Sequence, residues 1–200
     1  MRTVSRTALA LVAVTALAAC DRTPAPAASE PAVPAEAATA PAAAAATPAQ
    51  TTGGLAVEGE GLRIFDATGA ARALPFEAPQ ATVIAAATAS IGGAAPELST
   101  NEECGAGPIQ FAEYANGLQL LFQDGKFGGW NLSEPGLTTV DGVGVGMTRA
   151  ALVADHSIEI SADSTLEGEF VMGEMGGFLS GAGPDATVSS LYAGLTCFFR

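Results

Sequence analysis

The stretch "IQFAEYANGLQLLFQDGKFGGWNL", Ile109 to Leu132, decides the fold. Two dipeptides, Asn116-Gly117 and Asp124-Gly125, divide it into three runs, Ile109–Ala115, Leu118–Gln123 and Lys126–Leu132. Asn, Asp and Gly tolerate the positive φ that tight hairpin turns demand, so this spacing predicts three consecutive antiparallel strands. Phe111 and Phe122 are expected in the core under a helix, and Trp130 either in the core or as an anchor for a partner.

Toward the N-terminus, "APQATVIAAATASIGG" suits a helix. Pro79 fits its first position, Val83, Ile84, Ala87 and Ile91 form an apolar stripe, and Gly92-Gly93 stops it. Before it, the runs Leu62–Phe65 and Ala73–Phe76 flank "DATGAA" and read as a hairpin with Gly69 in the turn. Toward the C-terminus, Thr148 is placed to cap a short helix over Arg149–Asp155. Further short strands follow, with a turn at Gly183-Pro184-Asp185 and a last strand through Leu191 and Cys197. The expected fold class is therefore α+β: antiparallel meanders, each packed by one short helix, in one domain over residues 55–200. The order helix, then strands with one cysteine, suggests a tandem duplication with halves 55–137 and 138–200.

The N-terminus speaks of address. "MRTVSR" carries Arg2 and Arg6, and the uncharged apolar block "LALVAVTALAA" follows. A charged start, a short apolar core and small residues at its end make residues 1–19 a signal peptide, too short to span a bilayer. Residues 20–54 are nearly all Ala, Pro, Thr and Ser, with Pro24, Pro26, Pro31, Pro34, Pro41 and Pro48 too closely spaced for a lasting helix. Such a segment buries too little to fold and reads as a disordered tether, reaching at most roughly 100 Å at about 3 Å per residue.

The junction Leu17-Ala18-Ala19-Cys20 resembles the lipobox of bacterial lipoproteins. That resemblance implies a diacylglycerol on the Cys20 thiol, loss of the preceding peptide and acylation of the new amino terminus, hence labelling by palmitate. It places the domain in the cell envelope, lipid-anchored, facing the periplasm or the outside. Asp21 resembles the inner-membrane retention signal of enteric lipoproteins, a rule that varies among bacteria, so inner versus outer membrane stays open. With Cys20 given to the lipid, Cys104 and Cys197 remain to form a disulfide in an oxidising compartment, the alternative being two buried free thiols. The segment "VGMTRAAL", with the strands after it, resembles the helix-plus-sheet repeats of β-lactamase inhibitor proteins and of the small lipoprotein of the outer-membrane barrel-assembly machine. Those families carry two helices per unit where one is visible here. The likeness implies a protein-binding module without catalysis and carries over no binding residue.

The formal net charge is −13, and losing Arg2 and Arg6 leaves six basic side chains against 21 acidic, a balance of −15. Such a surface repels phosphate backbones and anionic headgroups, which excludes nucleic acid as a partner and leaves membrane contact to the lipid. "DGVGVGMT", Asp141 to Thr148, lacks the lysine of a phosphate loop and reads as a strand-to-helix connection. His156, the single histidine, suits the C-terminal end of the short helix better than a catalytic scheme. Asp163, Glu167 and Glu169 are the candidate metal ligands, for calcium, set against a solvated acidic face. Glu167 and Glu169, two apart, are expected on one strand face. No cofactor is called for. The expected function is a non-catalytic, membrane-anchored module that binds an envelope protein through residues the sequence does not specify. The alternatives are a small-ligand or calcium-binding module and a hydrolase with an unrecognised site.

Overall fold

The chain is seen as a computed structural model that describes residues 54–198. The expected signal peptide, Cys20, Asp21 and the expected tether up to residue 53 lie outside the described residues. In chain order the elements are β1 (Leu55–Glu58), β2 (Gly61–Phe65), β3 (Ala71–Pro75), α1 (Gln80–Ile91), β4 (Glu97–Asn101), β5 (Ile109–Glu113), β6 (Leu118–Gln123) and β7 (Lys126–Leu132). Then come α2 (Arg149–Asp155), β8 (Glu159–Ile160), β9 (Glu169–Met172), β10 (Met175–Leu179) and β11 (Val188–Gly194). The three-stranded sheet has the order β1-β2-β3 and the eight-stranded sheet the order β4-β5-β6-β7-β11-β10-β9-β8. This is the α+β fold expected, with a helix followed by four antiparallel strands occurring twice. The last strand of each set, β7 and β11, meets the other at the centre of the larger sheet.

The meander of residues 109–132 forms as its turn residues dictate. Asp124 (φ 52) and Gly125 (φ 73) make a two-residue turn joining Gln123 to Lys126. At Asn116-Gly117 the turn is wider: Gly117 N–H donates to the Tyr114 carbonyl and Tyr114 N–H to that of Leu118, so β5 stops at Glu113, two residues before the expected Ala115. The first hairpin turns through Asp66 to Ala70, where the Asp66 carboxylate accepts from the Thr68 hydroxyl and from the N–H groups of Thr68 and Ala70. Those donors, the Thr68 hydroxyl foremost, hold its pKa below the usual aspartate value.

Both helices end where their punctuation says. Pro79 lies one residue outside α1, at its N-cap, and Gly92 closes it in the left-handed region with its N–H on the Thr88 carbonyl. Thr148 caps α2 by accepting the Ala151 N–H, and His156 follows its last turn. The final strand stops at Gly194, short of Cys197. β1 and the edge strands β4 and β8 carried no sequence expectation of their own.

The principal core lies between the two sheets and the helices. Val57, Leu62 and Leu74 from the small sheet, Val83 and Ala87 from α1, and Leu152 from α2 pack on one face of the large sheet. That face presents Ala112, Leu120, Trp130 and Ala193 side by side across four strands, and beside them Leu118, Leu132, Leu191 and Phe170. Trp130 is fully buried and its indole N–H donates to the Glu58 carbonyl, tying the large sheet to β1. Phe122 is on this face, as expected. Phe111 is not: it alternates with Ala112 along β5 and stands opposite Leu121, so it faces the other side, where it joins a second cluster of Cys104, Ile109, Leu121, Leu195 and Cys197.

Candidate functional site

The side of the large sheet turned away from the helices is the one with polar chemistry. Strand alternation puts every second residue there. Following the pairing from strand to strand, one row reads Glu97, Glu113, Gln119, Asn131, Tyr192, Gly176, Val171 and Glu159, across all eight strands. The row is acidic at both ends, with carboxamides and an aromatic ring in the middle. The next row reads Ser99, Phe111, Leu121, Gly129 and Gly194.

After β11 the chain doubles back over this open face. Leu195 N–H donates to the Gly128 carbonyl, and its side chain packs with Leu121 and Phe111. Residues 195–198 thus form a strap. It runs so close to β7 that a Cβ at Gly129 would lie 2.2 Å from the Leu195 carbonyl oxygen, so only glycine fits beneath it. Cys197 fastens the strap through a disulfide to Cys104, after β4, closing a separation of 93 residues. Phe198 then packs edge-on against Tyr192 and Phe178, with centroids 5.1 and 5.6 Å apart.

Between strap and sheet is a cavity of about 200 Å³. Its side-chain lining includes Asn101, Phe111, Gln119, Asn131, Tyr192 and Phe198, none of them charged. Asn101 is occupied, accepting the Glu103 N–H and donating to the Cys197 sulfur, and Gln119 donates to Glu113. Asn131 is different: its Oδ1 is buried without a hydrogen-bond partner, the one such side-chain atom among the described residues. Leaving a buried carbonyl unpaired costs about 1–3 kcal/mol.

Beside the cavity Tyr192 leans over β10, where the absence of a side chain at Gly176 makes room: a Cβ there would lie 2.2 Å from the ring. The phenol donates to Glu169 Oε1 at 2.5 Å, and Ser164 donates to Glu169 Oε2. Glu169 is only 2% exposed. It therefore parts from the carboxylates with which the sequence grouped it. β9 starts at Glu169, Glu167 stands in the preceding turn, and Asp163 and Glu167 are exposed. The expectation of a shared strand face for Glu167 and Glu169 is corrected on that ground. No three His, Cys, Asp or Glu side chains gather to hold a metal among the described residues, so Asp163, Glu167 and Glu169 do not make the calcium site considered for them.

His156 lies in a separate groove, between β1–β2 and the β9–β10 hairpin, beside Glu58, Arg63, Asp141 and Glu174. Arg63 is bound there to Glu58 at 2.7 Å. The glycine-rich Asp141–Thr148 segment connects β7 to α2, as read, with Val143 buried in the core. No helix among the described residues is long and apolar enough to cross a membrane. Asn131, Gln119, Tyr192 and Phe198 were missed as site residues. For Gln119 and Asn131 the signal is the period-two alternation of β6 and β7, where they interrupt apolar neighbours.

No family model matches the sequence, and no curated protein matches it. Among solved structures the chain is similar to the uncharacterized protein YfeY from Escherichia coli, at 12% identity and a TM-score of 0.36, over 53% of this chain and 86% of that one.

Proposed function

We propose that this chain is an exported lipoprotein, held to a membrane by lipid on Cys20, whose α+β domain is a non-catalytic binding module of the cell envelope. The anchor rests on Leu17-Ala18-Ala19-Cys20 and the charged, apolar and small-residue order before it. The Cys104–Cys197 disulfide suits the oxidising compartment such an address implies. The binding role rests on one observation: the large sheet buries one face under α1, α2 and the small sheet, while the other keeps Gln119, Asn131, Tyr192 and Phe198 beneath only a strap. The partner of the first reading is an envelope protein that lies across this open face. A small-ligand reading stands beside it, favoured by the cavity at Asn131.

The test follows the lipid and the face together. The full chain is expressed in a bacterium with radiolabelled palmitate, beside Cys20→Ala, with a photocrosslinking residue at Gln119 or, as control, at exposed Val153 on α2. Label that disappears with Cys20→Ala, and a discrete envelope adduct from position 119 but not from 153, are the expected results. An unlabelled wild-type chain would sink the anchor, and equal adducts from both positions would sink the assignment of the face.

A further inference from the structure

We infer that the cavity under the Cys197 strap is a binding site for a single neutral pyranose unit, either a free sugar or one residue of a glycan. The inference rests on the open face being the binding face, and names what its centre takes.

Four observations point the same way. First, among the described residues no charged side chain lines the cavity, on a chain of formal charge −13. An ionic ligand would be desolvated there without a counter-charge, at a cost that favours a neutral one. Second, Asn131 Oδ1 is buried and unpaired. A rotation of the carboxamide brings its unpaired end against a bound hydroxyl, which both donates and accepts and so meets the carbonyl or the NH₂. Third, Phe111, Tyr192 and Phe198 bring aromatic rings to the same cavity as the amides Gln119 and Asn131. A pyranose presents this combination in reverse, with C–H bonds on its faces and hydroxyls around its rim, and few other small neutral molecules do. Fourth, about 200 Å³ accommodates one six-membered ring and lies below the roughly 300–1,000 Å³ of pockets for larger ligands.

The parts are held in place by the fold. Gln119, Asn131 and Tyr192 are direct cross-strand neighbours on β6, β7 and β11, so their spacing is fixed by the backbone ladder. Tyr192 is held further by Glu169 and by Phe198 on the strap. Preorganisation of this kind lowers the ordering cost of binding.

The test uses the full chain in detergent, with saturation-transfer and amide-shift NMR against two probe sets: glucose and N-acetylglucosamine as free sugars, and chitotriose and maltotriose as short glycans. The expected result is saturable binding in about the millimolar range for at least one probe, with a shift of the Asn131 side-chain NH₂ signal. Asn131→Leu keeps the branching at Cγ, adds some bulk and removes the amide, with Asn131→Ala as the companion variant that removes the amide without filling the cavity. Either should weaken binding by about tenfold or more, and Asn131→Leu should leave the unliganded domain as stable as before or more so. Val171→Thr, on the same row but outside the cavity, should bind as wild type does. Monosaccharides as good as trisaccharides would identify a free sugar as ligand; a preference for the trisaccharides would identify a glycan. No saturable binding by any probe, or full binding by folded Asn131→Leu, overturns the inference. Absence of sugar binding with the position-119 adduct retained would overturn it alone and leave the protein-binding face standing.

Discussion

The two faces of the eight-stranded sheet are made by the same strands and differ in almost everything else. On the covered face Leu120, Trp130, Leu132 and Leu191 are fully buried and apolar. On the open face the neighbouring positions are Gln119, Asn131 and Tyr192, with a carboxamide atom left unpaired. The contrast teaches how one sheet separates holding together from holding something else. The first face is satisfied by its own chain, whereas the second keeps a polar demand that the domain does not meet.

This comparison can be broken from either side. The largest expected effect is on the covered face: Trp130→Ala removes the biggest buried side chain and leaves the Glu58 carbonyl without its donor. It should cost about 5 kcal/mol, read as a fall in the urea midpoint at unchanged slope. An effect as small as that of Asn131→Leu would erase the distinction between the faces. Next comes Cys197→Ser, which opens the loop between residues 104 and 197 and should cost about 2–4 kcal/mol. It also frees the wall of the cavity, so sugar affinity should fall even in conditions where the domain is folded. Retained affinity would show that the strap only strengthens the fold.

The smallest effect sharpens how the covered side is closed. The Tyr114 phenol pairs with the Thr88 hydroxyl at 3.0 Å and donates to the Ile84 carbonyl at 3.3 Å, clasping α1 to the end of β5. Burial raises its pKa, outweighing the Thr88 hydrogen bond that lowers it. The folded state thus keeps a proton that the unfolded chain gives up. The contribution is complete below the unfolded value of about 10 and is lost as pH rises past it. Tyr114→Phe should cost about 1 kcal/mol at neutral pH and flatten the alkaline loss seen in urea midpoints. An unchanged alkaline slope would assign that loss to another group.

Where the chain punctuates itself, the fold was legible. Asp124-Gly125, Thr148 and Gly92 each act locally, through a backbone angle or a cap, and each stands where the sequence put it. Elements whose existence depends on distant partners were not legible: β4 is exposed from Glu97 to Thr100 and forms a strand only because β5 offers it a ladder. The same limit governs the site. The pairing of Cys104 with Cys197 could be argued from arithmetic, but that the strap crosses Gly129 and walls a cavity over Asn131 depends on contacts far apart in the chain. The carboxylates misled for a related reason. Glu169 reads as surface charge until Tyr192, 23 residues on, is seen to reach it.

The seating of β11 between β7 and β10 has a consequence for how the molecule reaches its native state. The strand latest in chain order is the one at the centre, so until it docks, β4–β7 and β8–β10 are separate ladders with bare inner edges. Loop-closure entropy must be met before that docking is rewarded, which makes the step slow relative to formation of the local hairpins. During that interval β7, whose outward row is Gly129 and Asn131 with no charged side chain between Lys126 and Leu132, is an inviting template for another chain's strand. Refolding yield should therefore depend on protein concentration far more steeply than the stability of the finished domain does.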